Sequence, residues 1–99
     1  MKLEIMEKAL QDISDLESPV RDWIMNSLQE LESRPIAHPN SGLIRVKGQQ
    51  VFKYVMKQGS KGGKDYRAIY DIEGEKIEVK AIFHRDKGYD KEELSDRVR

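Results

Sequence analysis

Apolar and polar positions along the chain change period twice, and those changes divide it into elements. Met6, Ala9, Leu10, Ile13 and Leu16 recur at helical spacing, which predicts an amphipathic helix over roughly 7–16. Ahead of it, Leu3 and Ile5 alternate with Lys2 and Glu4 as in a short strand, while Leu3, Met6 and Leu10 also continue the helical stripe. Pattern alone therefore leaves strand and helix open for residues 2–6. Ser18-Pro19 is a start signal for a second helix, with serine placed to cap free N–H groups and proline pre-set for the first turn. Val20, Trp23, Ile24, Leu28 and Leu31 form its apolar stripe, and Pro35 stops it. The short link between the helices predicts an antiparallel pair.

Residues 36–42, with Pro39, Asn40, Ser41 and Gly42, read as a loop. From Gln50 to Lys57 the period becomes two: Phe52, Tyr54 and Met56 point one way, and Val51, Lys53, Val55 and Lys57 the other. The Gly59–Lys64 segment is a flexible turn. Residues 65–72 alternate again, with Tyr66, Ala68, Tyr70 and Ile72 opposed to Arg67, Ile69 and Asp71. After the turn Glu73-Gly74-Glu75, Ile77, Val79, Ala81 and Phe83 alternate with Glu78, Lys80, Ile82 and His84. The tail from Asp90 to Val98 suits a short helix with Leu94 and Val98 on one side. The expected architecture is α+β, a helix pair on a three-stranded antiparallel meander, with Phe52, Tyr54, Met56, Tyr66, Ala68, Tyr70, Val79, Ala81 and Phe83 under the helices. The opposite sheet face, carrying Lys53, Lys57 and Arg67, is expected to be open.

Composition adds boundaries. Ninety-nine residues suit one domain spanning 1–99. No apolar run approaches a membrane span, Lys2, Glu4, Glu7 and Lys8 leave no signal-peptide pattern, and cysteine is absent. Together these suggest a soluble cytoplasmic protein without disulfides or thiolate metal sites. The net charge is zero, but residues 1–34 carry −4, residues 44–67 carry +6 and residues 68–99 carry −2. Such a basic segment either binds a polyanion locally or forms a solvated charged face.

Lys53, Arg67, Arg85 and Tyr89 are the candidates for chemistry. Lys53 and Arg67 share a facing on neighbouring strands, and Arg85 follows the last strand where the chain turns. Arginine forks bind phosphate oxygens and stabilise a pentavalent transition state, a lysine among cations can serve as a base, and tyrosine stacks on unpaired bases. The plainer reading is of surface cations beside a half-buried tyrosine. His84 suits proton transfer or RNA contact, but a strand-end histidine also serves as a structural hydrogen-bonding residue. His38, beside Pro39, reads as an exposed loop residue. Two histidines without cysteine or HExxH spacing make no metal site, and the glycines of 59–64 lack the P-loop spacing, so no cofactor is expected.

The run Asp65-Tyr66-Arg67-Ala68-Ile69-Tyr70-Asp71-Ile72, a short acidic turn, a hydrophobic strand and then Ile82-Phe83-His84-Arg85-Asp86-Lys87-Gly88-Tyr89 resembles the C-terminal half of RelE/ParE family toxins. Glu7-Lys8-Ala9-Leu10-Gln11-Asp12-Ile13 resembles their first helix, which follows an N-terminal strand, and this favours strand for residues 2–6. The resemblance implies a toxin of a type II toxin-antitoxin system, with a cognate antitoxin, the ribosome and messenger RNA as partners. It implies a ribosome-dependent, metal-independent endoribonuclease that inhibits translation by attack of a ribose 2′-hydroxyl on the adjacent phosphate. Carried over by position, Arg67 stabilises the transition state, Arg85 assists the leaving oxygen, Tyr89 orients the RNA and Lys53 is the base. Val55 stands where active relatives often carry a second basic residue. Lys57, or Lys61 or Lys64 of the glycine-rich loop, would substitute for it or contact RNA backbone. Two alternatives stand beside this one: a non-catalytic ParE-like toxin that inhibits a topoisomerase, and a degenerate member that only binds RNA or a partner.

Overall fold

The computed structural model describes residues 1–36, 38–58 and 64–98. The expected N-terminal strand is present as β1 (Lys2–Ile5), followed by α1 (Glu7–Ser14) and α2 (Ser18–Ser33). Next come β2 (Ser41–Val46), β3 (Gln49–Gln58), β4 (Lys64–Glu73), β5 (Lys76–His84) and α3 (Lys91–Val98). The strands form one mixed sheet in the order β1-β5-β4-β3-β2, with β1 parallel to β5 and the other neighbours antiparallel.

The helices begin and end for local reasons. Glu17, in extended conformation, occupies the cap position of α2, so Ser18 is its first helical residue and does not cap it as expected. Pro19 sits in the first turn, where its missing N–H costs nothing. α1 is shorter than its apolar stripe: the Leu16 N–H bonds the Ile13 carbonyl at 3.1 Å, tightening the last turn, and Leu10 faces outward. Ala9, Ile13, Ile24, Leu28 and Leu31 pack against Tyr54, Met56, Ala68, Tyr70, Ile77 and Val79 as the main core. The Tyr70 hydroxyl donates to the Pro35 carbonyl at 2.6 Å, tying the end of α2 to the sheet and satisfying a buried polar group.

Three features depart from the expected meander. First, β2 occupies part of the presumed loop. Lys47 (φ 49) and Gly48 (φ 83) make a two-residue turn that returns the chain into β3, with Val46 opposite Gln49. Second, the register of β4 and β5 shifts between Ile69 and Tyr70. Ile69 pairs with Ala81 and Tyr70 with Val79, so Lys80 is left unopposed. A bulged residue reverses the facing of every position beyond it. Ile82 therefore joins the helix-side core, whereas Ala81 and Phe83, expected there, lie on the other face.

Third, that other face is not open along its length. Leu94 and Val98 of α3 pack on Val46, Val51, Ile69 and Ala81 as a second apolar cluster. Asp90 starts α3 by accepting the N–H groups of Glu92 and Glu93 through its Oδ1 at 2.8 and 3.2 Å. α3 is also tied to the β2–β3 turn, by a Lys47–Glu92 ion pair and by the Gln49 amide donating to the Val98 carbonyl. Among the described residues, no helix is long and apolar enough to cross a membrane.

Candidate functional site

α3 covers one end of this second face, and the cations collect at the other. The antiparallel register sets Val55 opposite Arg67 and Lys57 opposite Asp65, while Arg67 faces Phe83 on β5. Paired residues share a sheet face, so Lys53, Val55, Lys57, Asp65, Arg67 and Phe83 lie together. Arg85 joins them because the strand pairing runs on by one bond, its N–H donating to the Asp65 carbonyl at 2.9 Å.

Asp65 is at the middle of this group. It is buried, at 8 % exposure, although it lies in the most basic stretch of the chain. Arg67 Nη1 donates to its Oδ1, Arg85 Nη1 to its Oδ2 at 3.5 Å, and Lys57 Nζ stands 3.9 Å from Oδ2. Burial by itself would raise the Asp65 carboxyl. The hydrogen bond from Arg67 and the charges of Arg67, Lys57 and Arg85 outweigh it and hold the group below the usual carboxylate range. The Arg67 side chain is itself largely covered, at 15 % exposure, whereas those of Arg85 and Lys57 are 61 % exposed. Among the described residues the Lys53 side chain has no hydrogen bond or ion pair, which leaves it available to a ligand.

Tyr89 reaches the same neighbourhood by a different route. Gly88, at φ 64, bends the chain after β5, and the Tyr89 ring meets Phe83 edge-on with centroids 5.0 Å apart. Phe83 is the cross-strand partner of Arg67, so the half-exposed Tyr89 borders the cation cluster. It also lines a shallow cleft against α3, with Asp90, Glu93 and Leu94.

Of the residues singled out by sequence, Lys53, Lys57, Arg67, Arg85 and Tyr89 are on or beside one face. His84 is not. It is paired with Tyr66, and the two rings meet at 5.0 Å and 86° on the helix side of the sheet. Its Nδ1 accepts the Asp86 N–H at 3.1 Å, closing the turn after β5. The bulge at Lys80 is the cause, because it reverses the facing of the end of β5. His38 is buried, and not exposed as expected. Its Nε2 lies 3.1 Å from Glu30 Oε2, its Nδ1 accepts the Asn40 N–H, and its ring meets Tyr54 edge-on. Burial, and then the charge of Glu30, push the Tyr54 hydroxyl above its ordinary value. This group fixes the link from α2 to β2 and lies on the helix side of the sheet, with Tyr54. Lys61 lies outside the described residues, and Lys64 opens β4. Among the described residues no three His, Asp or Glu side chains are arranged to hold a metal ion.

Asp65 is the residue that sequence reasoning missed as part of the site. Its signal was present as the lone acid among the seven basic residues of 44–67, but in a charge count it reads as a subtraction.

A family model described as the ParE toxin of the type II toxin-antitoxin system parDE matches residues 3–89. Among solved structures, the chain is similar to an arginine-to-alanine double mutant of the E. coli toxin RelE in the free state. Identity is 22%, TM-score 0.63, and coverage 97% of this chain and 90% of that one. The isolated E. coli RelE toxin matches at 22% identity and TM-score 0.62, covering 99% and 98% of the two chains. The same double mutant in complex with a peptide of the antitoxin RelB matches at 25% identity and TM-score 0.59, covering 99% and 94%. No curated protein sequence matches the chain.

Proposed function

The chain belongs to the ParE toxin family of type II toxin-antitoxin systems, and from that premise we propose that it is an endoribonuclease acting on messenger RNA in the ribosome. The observation that carries this reading is the gathering of Lys57, Arg67 and Arg85 on one carboxylate, with Lys53 on the same face and Tyr89 at its border. A surface selected only for solubility has no need to hold two guanidinium groups and an ammonium within reach of one phosphate.

In the proposed reaction, Lys53 takes the proton of a ribose 2′-hydroxyl, whose oxygen attacks the adjacent phosphorus. The bond from phosphorus to the 5′-oxygen breaks, leaving a 2′,3′-cyclic phosphate and a 5′-hydroxyl. Arg67 neutralises the charge building on the equatorial oxygens, and Arg85, more exposed, faces the departing oxygen and stabilises its charge while solvent supplies the proton. Tyr89 offers a half-exposed ring on which an unpaired base stacks. Each step is carried by a side-chain base, side-chain charges and a solvent proton, so we assign the chain no metal or organic cofactor. The ribosome enters because these cations are spread over three strands and a turn and need the messenger held for them. We read residues 1–99 as one toxin domain, restrained by a cognate antitoxin, as the complex of the related RelE with RelB suggests. An acidic, amphipathic antitoxin segment would cover Lys53 and Arg67 or displace α3.

A non-catalytic toxin directed at a topoisomerase is the second reading, favoured by the description of the matching family model. Primer extension on a reporter messenger RNA after induction separates the two. Discrete cuts that vanish with Arg85→Ala are expected, and intact messenger together with arrested supercoiling by the topoisomerase would establish the alternative.

A further inference from the structure

The cation cluster contains one carboxylate, and its placement is costly unless it is used. Removing Asp65 would make the surroundings of Lys53, Lys57, Arg67 and Arg85 more positive and would strengthen non-specific attraction for any polyanion. A face optimised for affinity alone would not bury an acid at its centre.

We propose that Asp65 is a positioning residue for the proposed ribonuclease reaction, fixing the Arg67 and Arg85 guanidinium groups in the orientation that receives the scissile phosphate. The geometry gives each oxygen a separate task. Oδ1 takes Arg67 Nη1, and Oδ2 takes Arg85 Nη1 and faces Lys57. Among the described residues Arg67 makes hydrogen bonds only through Nη1, to Asp65 and to the Tyr66 carbonyl, so Nη2 and Nε remain for a ligand. A guanidinium anchored at one corner presents its other donors in a fixed plane, which suits a two-point contact with phosphate. The neighbouring arginine and lysine would otherwise repel Arg67, and the carboxylate between them removes that cost. Held ionised by these neighbours, Asp65 acts only as an acceptor and moves no proton.

This inference rests on the ribonuclease reading, and its test separates the two. Single-turnover cleavage by the full chain would be measured on ribosomes programmed with a short messenger, for wild type, Asp65→Ala and Asp65→Asn. If position matters, Asp65→Ala lowers the maximal rate by about ten- to a hundredfold, the scale set by small misplacements at a site. The concentration giving half-maximal rate stays level or falls, because the cluster has become more positive. Asp65→Asn, whose amide oxygen still accepts from Arg67, recovers part of the rate. A simple loss of folded protein would do the reverse, raising the apparent half-maximal concentration and leaving the maximal rate unchanged. Cleavage by Asp65→Ala as fast as by wild type would overturn the proposal, as would Asn performing no better than Ala.

Should Asp65→Ala not fold, Asp65→Asn and side-chain NMR decide. The Arg67 guanidinium should rotate slowly about its Nε–Cζ bond in the wild type and faster in Asp65→Asn. Fast rotation in the wild type would sink the positioning claim. A wild type that cuts no messenger while holding Arg67 rigid would defeat the ribonuclease reading and leave the anchoring by Asp65 standing.

Discussion

Asp12 on α1 and Arg97 on α3 meet around the end of β5, with Arg97 Nη1 at 2.6 Å from Asp12 Oδ2 and Nη2 at 3.2 Å from Oδ1. The helices lie on opposite faces of the sheet, so this pair clasps its edge. The clasp exists because of the bulge. Lys80, left unopposed, offers its carbonyl to Arg97 Nη1 at 3.3 Å, and the Ile82 N–H donates to Asp12 Oδ2 at 3.0 Å. Both side chains are mostly covered, at 13 % and 23 % exposure, so removing one partner strands the other. Arg97→Ala is expected to destabilise the fold by about 2–3 kcal/mol, below the range for fully buried pairs because Asp12 retains some solvent. Chemical denaturation checks this. Among the described residues Arg97 Nε is buried without a partner, so an apolar double replacement, Asp12→Leu with Arg97→Met, should cost less than either single change. A double variant as unstable as the sum of the singles would show that the clasp has no such coupling.

Arg67 supports the fold as well as facing a ligand, which changes what its removal should do. By sequence it projects freely from the sheet, yet its side chain is largely covered and bound to buried Asp65. Arg67→Ala is expected to cost about 1–2 kcal/mol of stability, moderated because Lys57 and Arg85 remain near the carboxylate. The difference should depend on pH with a definite sign. The folded Asp65 carboxyl lies below its unfolded value, so its contribution is present above the unfolded value of about 3.9. It is lost as pH falls through the folded value. Thermal unfolding of both proteins between pH 7 and pH 3 should show the gap shrinking in the acid range. A gap constant down to pH 3 would contradict the assignment.

His84 is separated from the cluster by the thickness of the sheet. His84→Gln is expected to leave messenger cleavage within about threefold of wild type, an effect far smaller than the two to four orders of magnitude for a lost acid or base. Its stability should fall by about 1 kcal/mol through loss of the edge contact with Tyr66 and the turn bond from Asp86. Loss of cleavage in a variant that melts like wild type would place the imidazole in the reaction after all.

Period-two alternation was enough to place Phe52, Tyr54, Met56, Ala68 and Tyr70 under the helices, because β3 and β4 are regular where these residues lie. It failed in β5 after Val79. A bulge adds one residue with no compositional mark, and the reversal of Ala81, Ile82, Phe83 and His84 follows from it. β2 was hidden for a different reason: its return turn uses Lys47-Gly48, where the usual signal is an asparagine or aspartate before glycine. The helical pattern of Leu94 and Val98 was visible, but not that this short helix would cover the end of the face away from the cations, since docking is a property of the partner surface. The cations were legible because strand facing alone unites Lys53, Lys57 and Arg67. Their organisation by Asp65 depends on burial, which charge counting does not contain.

Val55 offers the sharpest test of the proposed chemistry, because it lies directly opposite Arg67 and between Lys53 and Lys57 on one strand face. Directly opposed side chains approach to about 5 Å at Cβ, so a base introduced there would stand beside the transition-state arginine. If Lys53 already serves as the base, Val55→Lys should raise cleavage by less than about tenfold, while Lys53→Ala should lower it by roughly 10²–10⁴, the range for general acid–base groups. The added charge should steepen the salt dependence of RNA binding by about one unit of slope. Placing a cation opposite Arg67 should also cost up to about 1 kcal/mol of stability. Rates, salt titrations and melting curves for the two variants make the comparison. A hundredfold gain with Val55→Lys and no loss with Lys53→Ala would transfer the role of base to position 55 and mean that valine there has silenced the natural protein.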